Sequence, residues 1–304
     1  MFSNRYIFIY AAILVVVIAA LLSTTAKFLQ PFQERNVRIE KIQNILASAG
    51  IVSTKENAEQ LFERHIVTEI LIDRHGNIIT DDRRAFDMDL KIELRKLDEL
   101  NAGKSNVEPA FPMFVCELNN EQIFIIPMLG KGLWGPLWGY MSLKDDFNTV
   151  VGAVFDHQGE TPGLGAEIAH PAFQKQFLGK RIFDDNRNFV SIAVVKGGIA
   201  NSSKIALEHG VDAVSGGTIT SDGLADMIKV CLGNYLNFFK VRHAEFLTQH
   251  EEEIVEEPIE EEEPPQVYRP RPPVVEEEPE PQAEEEPVEE TPEKKDTTTN
   301  TTED

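Results

Sequence analysis

Cysteine is nearly absent from this chain, with only Cys116 and Cys231 among 304 residues. Their spacing matches neither a zinc site nor an iron–sulfur centre. Cys116 lies in a strand-like run and Cys231 on the apolar face of a helical pattern. Each therefore reads as a small buried hydrophobe, and a disulfide between them stays open. The seven histidines form no H-x-x-x-H pair, so no metal site is expected. The G-x-G-x-x-G turn of dinucleotide-binding folds is missing as well. Basic residues are outnumbered, 29 against 51 acidic ones, and the formal net charge of −22 argues against nucleic-acid binding.

Long apolar runs are also scarce. One is present, uncharged from Tyr6 to Leu22, with Arg5 before it and Lys27 after. With its flanks it reaches the roughly 20 residues that span a bilayer, and it exceeds most signal-peptide cores. A retained anchor is the favoured reading, and a secretory signal cleaved near Ala26 is its competitor. Arg5 on one side and Lys27 and Arg35 on the other leave orientation undecided by charge. The opposite end, 251–304, holds 22 acidic and 4 basic residues, a net −18. Its glutamates and prolines alternate without apolar periodicity, so little surface could be buried to offset the ordering entropy. A disordered, solvated spacer is expected, with docking to a basic partner as the alternative.

The stretch between is long enough for one large domain, or a domain with an added N-terminal layer. Val37, Ile39, Ile42, Ile45 and Leu46 continue the anchor as a helix, and Ala58, Leu61 and Phe62 mark a second helix packed on it. Ile66–Ile72 reads as a strand and 73–77 as a turn returning through Ile78–Ile79. Leu90, Leu94 and Leu97 predict a further helix. The carboxylates of Asp81, Asp82, Asp87 and Asp89 are expected to be exposed rather than metal-ligating. Phe114–Leu118 and Gln122–Pro127 are strands around Asn119–Asn120 and predict a meander. Gly130–Tyr140, dense in glycine and aromatics, fits either a binding wall or a packed corner, and the packed reading is preferred for Trp134 and Trp138.

The chemistry concentrates further on. Leu224, Ile228, Cys231, Leu232, Tyr235 and Phe239 recur at helical spacing, which predicts a helix over roughly 217–239. Ser215-Gly216-Gly217-Thr218 then falls at its first turn, where unpaired N–H groups and a partial positive charge favour an anion. A plain helix cap by Ser215 or Thr218 is the simpler alternative. Some fifty residues earlier, Glu160-Thr161-Pro162-Gly163-Leu164-Gly165 predicts a shaped loop.

Together the two stretches resemble the FMN-binding domain family, whose D-x-x-S-G-A-T motif joins its last threonine to the FMN phosphate. Asp212 to Thr218 follows that motif with Gly217 where alanine is usual, and E-T-P-G-L-G is the family's second motif. An apolar anchor, an N-terminal extension, Gly130–Gly139 (G-K-G-L-W-G-P-L-W-G) and the two motifs also stand in the order seen in the C subunits of sodium-translocating NADH:quinone reductases. The flavin subunits of Rnf-type complexes are similar, typically with less chain before the flavin domain.

The resemblance implies an α+β fold: a twisted antiparallel sheet from Met113 to Phe155 and near Val190–Val195, with the Thr218 helix packed beside it. It implies four segments: 1–32 with the anchor, 33–110 as an extension, 111–250 binding FMN, and 251–304 as the tail. By the same resemblance Thr218 carries covalent FMN, and Ser215, Gly216, Gly217 and Thr220 surround its phosphate. Thr161, Gly163, Leu164 and Gly165 face the flavin ring, Lys180 is a further phosphate-side candidate with a plain surface lysine as its alternative, and Asp212 is either recognised by a flavin transferase or an ordinary turn residue. The implied activity is single-electron relay among sister subunits of an inner-membrane NADH:quinone reductase, with the flavin domain on the periplasmic side. A nonenzymatic anchored binding protein is the alternative from another class.

Overall fold

The computed structural model describes residues 3–242, so the acidic segment 251–304 lies outside the described residues. The first element, α1, is one 45-residue helix, Asn4–Ser48. The apolar run expected as an anchor and the first amphipathic helix are therefore a single rod, passing through Pro31 without a break. Its first 35 residues are exposed, and its last turns bury Ile39, Ile42, Ile45 and Leu46. Gly50 ends it at φ 81°: Ile51 N–H donates to Leu46 O and Gly50 N–H to Ala47 O, the paired bonds of a Schellman motif.

After α2 (Ala58–His65) come β1 (Ile66–Ile72) and the short β2 (Ile78–Ile79). Their turn is held by Asp73, whose Oδ1 accepts from the N–H groups of His75 and Asn77. Helix α3 (Leu90–Asn101) is capped by Asp89, which accepts from Lys91 N. Strands β3 (Phe111–Leu118), β4 (Glu121–Lys131), β5 (Pro136–Leu143) and β6 (Val150–His157) form the expected meander. Asn119 and Asn120 both take positive φ, as a two-residue hairpin turn requires. The six-stranded antiparallel sheet runs β2-β1-β3-β4-β5-β6. The pairing of β1 with β3 carries the sheet across position 110, so the expected extension and flavin segments share one sheet.

Two corrections concern the expected sheet and helix. The Val190–Val195 stretch is not part of the large sheet. Short helix α4 (Pro171–Gln174) and its neighbours take the free edge of β6, where the Gln174 amide donates to Phe155 O at 2.9 Å. Instead β7 (Ala193–Val195) pairs in parallel with β8 (Gly210–Asp212). Helix α5 spans Thr218–Gly233, shorter than the periodicity predicts, and helical geometry resumes only over 236–242. Its last residue is Gly233, and glycine is a poor interior helix residue; two positions on, buried Tyr235 is tied by its hydroxyl to Pro112 O at 2.7 Å.

The sheet separates two apolar layers. On one face α5 buries Leu224, Met227 and Ile228 against Met128, Leu137 and Met141. On the other, the end of α1 and α2 cover Phe114, Ile125 and Tyr140. Cys231 lies in the first layer and Cys116 in the second, and both are free thiols, which closes the question of a disulfide. Burial in apolar surroundings raises both thiols to a pKa of about 11.

Candidate functional site

Glycines bring α5 onto the end of β4. A Cβ at Gly223 would stand 2.2 Å from Lys131 O, and one at Gly130 would stand 2.5 Å from Met227 Cβ. The start of α5 is thereby set beside the 132–135 turn joining β4 to β5 and the 160–165 loop after β6. The three segments enclose a cleft of about 180 Å³, lined by Leu133 and Trp134, by Glu160, Thr161, Leu164 and Gly165, and by residues 216–220.

The helix cap is Gly217, and no side chain bonds to the cap. Neither the Ser215 nor the Thr218 hydroxyl is used as a cap, so the simpler reading of this stretch does not hold. Thr218 is exposed at the cleft, and the first-turn N–H groups of Thr218, Ile219 and Thr220 have no intrahelical acceptor. Gly216 reaches φ 74°, a left-handed backbone that glycine adopts without strain, and Leu164 lies directly over it. Gly217 packs on Gly165. A methyl group there would approach Gly165 N at 3.1 Å, so the alanine usual at this position would need a shift of a few tenths of an ångström.

Glu160 organises the cleft floor. It is 5 % exposed, accepts from Trp134 N at 2.9 Å and takes the Thr220 hydroxyl at 2.5 Å. Gly165 has to be glycine, because a Cβ would meet both the Thr220 hydroxyl and the Glu160 carboxylate within 2.5 Å. Sequence reasoning passed over Glu160. Its signal was a carboxylate opening a glycine-rich motif just after a buried strand. Ile219 was also passed over. Trp134 is the clear departure from the preferred packed reading: it is 69 % exposed at the cleft mouth, while Trp138 is half-buried and lines the hollow on the α1 side of the sheet.

The structure thus brings Thr161, Leu164, Gly165, Gly216, Gly217, Thr218 and Thr220 to one cleft. Gly163, at φ 75°, shapes the loop and donates its N–H to Glu167 without lining the cleft. Ser215 is exposed alongside. Asp212 is turned away, and its Oδ1 accepts from Ile199 N at 2.6 Å. Lys180 is displaced altogether. Its carbonyl bonds Val150 at the start of β6, about 25 Å of strand from the cleft, and its ammonium is given to Leu207 O. It is no phosphate ligand in this geometry.

A larger hollow of about 520 Å³ lies on the α1 side of the sheet, between α1 and residues 85–91. Phe114, Leu129 and Trp138 floor it, and Lys41 stands at its wall with a pKa lowered by burial against the pull of Asp87 and Glu69. It touches neither glycine-rich motif. Among the described residues no cluster of side chains could hold a metal ion.

Residues 132–233 match the family model of the FMN-binding domain, a span that holds every residue lining the cleft. The C subunit of the Na(+)-translocating NADH-quinone reductase of Haemophilus ducreyi is 32 % identical over 240 residues, covering 75 % of this chain and 91 % of that protein. Its counterpart in Vibrio alginolyticus is 33 % identical over 226 residues, covering 72 % and 86 %. The crystal structure of the corresponding protein from Parabacteroides distasonis superposes with a TM-score of 0.59 at 38 % identity, covering 69 % of this chain and 96 % of that one.

Proposed function

Because the chain belongs to the family of C subunits of Na(+)-translocating NADH-quinone reductases, we propose that it carries FMN, joined through its phosphate to the Thr218 hydroxyl, and passes single electrons within such a complex. The observation that carries this reading is the uncapped start of α5: an exposed hydroxyl, three free N–H groups and two glycines meet at one point. A phosphate group fits there. The N–H groups and the helix N-terminus hold its charge, while Glu160, the carboxylate that lines the cleft, accepts from Trp134 N and the Thr220 hydroxyl.

When bound, FMN supplies the one-electron chemistry, and the chain supplies attachment and surroundings. Thr218 fixes the phosphate end. Leu164 and Trp134 offer apolar walls, and Thr161 and Gly165 shape the loop between them. At about 180 Å³ the cleft is smaller than the roughly 300 Å³ of pockets that enclose small-molecule ligands, so part of the flavin projects from it. A covalent tether keeps so open a cofactor from being lost.

Asp212, at the head of the motif and exposed, is the feature a flavin transferase would read. Sister subunits in the membrane are the electron partners, and α1 is the retained single-pass anchor in the inner membrane with the flavin domain on its periplasmic side. The test is in-gel flavin fluorescence of denatured protein with peptide mass mapping. Thr218→Val is expected to abolish the fluorescent band. A flavin mapped to another residue, or persisting in this variant, would refute the assignment.

A further inference from the structure

We propose that the hollow on the α1 side of the sheet is a second binding site, for a neutral, flat ring compound whose carbonyl oxygen accepts from the Tyr140 hydroxyl. This site does not depend on the flavin. It arises from how α1 lies on the sheet. Glu69, Phe114, Ile125, Ser142 and Gly152 form one row of cross-strand partners from β1 to β6. Helix α1 follows that row. At one end the Ser48 hydroxyl meets the Ser142 hydroxyl at 2.8 Å, and a Cβ at Gly152 would stand 2.5 Å from Ser48 O. At the other, Lys41 donates to Phe86 O, and the Phe86 N–H is bonded to Glu69. The next two rows on the same face pair Pro127 with Tyr140 and Leu129 with Trp138. The helix leaves them uncovered, and they floor the hollow.

Its walls are Val37, Glu40, Lys41 and Asn44, one face of α1 at helical spacing, with residues 85–91 opposite. At about 520 Å³ it falls within the roughly 300–1,000 Å³ of small-molecule pockets. Tyr140 is the group that points to a ligand. It is 8 % exposed, and no described group bonds to its hydroxyl. Among the described residues only the Ser191 hydroxyl is sealed from solvent without a partner, so the Tyr140 oxygen opens into the hollow. The Asn44 amide and the Trp138 indole N–H, half-buried at the same hollow, also have no partner among the described residues. Polar groups so enclosed ordinarily find one. Water would have to serve them beside the apolar surface of Phe114, Pro127 and Leu129, and a flat ring that brings its own acceptor displaces such water with gain.

The ligand's charge follows from the rim. Lys41 is already committed to Phe86 O and lies 4.6 Å from the centre of the Phe86 ring. Lys91 shares the rim with the carboxylates of Glu40, Asp87 and Asp89, so no net positive charge awaits an anion. Burial holds the Tyr140 phenol above its ordinary pKa and keeps it a neutral donor. Hydroxyl, amide and indole can all donate, and the ligand therefore supplies the acceptor. Asp89, Lys91, Leu129 and Trp138 also line a more open hollow of about 740 Å³ that continues to Gly135 and Gln158, which gives the site its entrance.

The probe is acetylnaphthalene, set against ethylnaphthalene, which keeps the shape without the oxygen, and naphthalenesulfonate, an anion. Full-length protein in detergent carries Met88→Cys at the hollow wall, or Glu121→Cys at the far end of β4 as the control, and both native thiols are buried. Saturating acetylnaphthalene is expected to slow alkylation of Met88→Cys at least about five-fold and to leave Glu121→Cys unchanged. With Tyr140→Phe added, half-protection should need about three- to ten-fold more of the ketone, the worth of one hydrogen bond. Ethylnaphthalene should protect both forms alike, which also shows that the variant keeps its fold. Naphthalenesulfonate should bind at least about ten-fold more weakly than the ketone. No protection, equal protection at Glu121→Cys, or the same ketone affinity with and without the Tyr140 hydroxyl would overturn the proposal. So would a Met88→Cys thiol already closed to alkylation in membranes that hold the sister subunits, because a protein would then fill the hollow.

Discussion

At the residue scale, Glu160 and Thr220 show how a site can be half legible. The hydroxyl and glycines of 215–218 declare themselves because small residues before a helical pattern have few other uses. Glu160 does not, since a glutamate is ordinarily a surface residue and only the fold shows it buried under Trp134. Its replacement by alanine would leave the buried Thr220 hydroxyl without its partner and release the part-buried Trp134 N–H at the cleft mouth. Unsatisfied buried groups cost about 1–3 kcal/mol each, and here the loss falls on the cleft floor. Glu160→Ala is therefore expected to lower covalent flavin content while Thr218 stays intact, and to lower the thermal midpoint of the domain. Flavin fluorescence per mole of protein, read beside a melting curve, checks both. Unchanged values for both would show that the carboxylate is incidental.

At the element scale, the patterns that repeat over several turns or strands were readable: α2, β1, α3, the meander and the start of α5. The misplaced elements were those decided by neighbours. Val190–Val195 is strand-like by composition, but Gln174 already occupies the edge it would join. Helix α5 stops short because Tyr235 is drawn to Pro112, a partner 123 residues away. The union of anchor and amphipathic helix into one rod was anticipated as a continuation, whereas its clamp on the sheet was not, because Ser48, Ser142 and Gly152 carry no pattern in the sequence. A methyl group at Gly152 would strike the Ser48 carbonyl, which is backbone at the helix end and cannot rotate away. Gly152→Ala is expected to destabilise the domain by about 1–3 kcal/mol, the usual cost of overpacking, and to loosen α1 specifically. Hydrogen exchange should rise at residues 39–48 more than in α5. Uniform change, or none, would mean that the contact does not hold the rod.

At the scale of the whole molecule, nearly all the net charge sits in 251–304, and the described body is close to neutral. Its pH response should therefore come from buried groups more than from general charge repulsion. Cys116 and Cys231 are raised to about 11 from a usual value near 9, and burial also holds Tyr235 well above its ordinary value. These are acids whose protonated form is favoured by folding. Below pH 9 both states are protonated and the contribution is complete. Above it the unfolded chain releases protons that the folded chain retains, so stability falls as the pH rises toward 11. Lys41 works the other way, since a lowered ammonium pKa makes folding less costly as the pH climbs toward its unfolded value, but it is one group against the two thiols and the buried phenols of Tyr140 and Tyr235. Each thiol should remove on the order of 1–2 kcal/mol by pH 10.5. Urea midpoints of the full chain in detergent, followed by near-ultraviolet circular dichroism, are expected to hold steady from pH 7 to 8.5 and drop by pH 10.5. Cys231→Ala should flatten part of that drop even if it lowers stability at neutral pH, because the packing loss is independent of pH and the thiol's proton is not. A drop of undiminished size in this variant would show that the alkaline response does not come from the buried thiol.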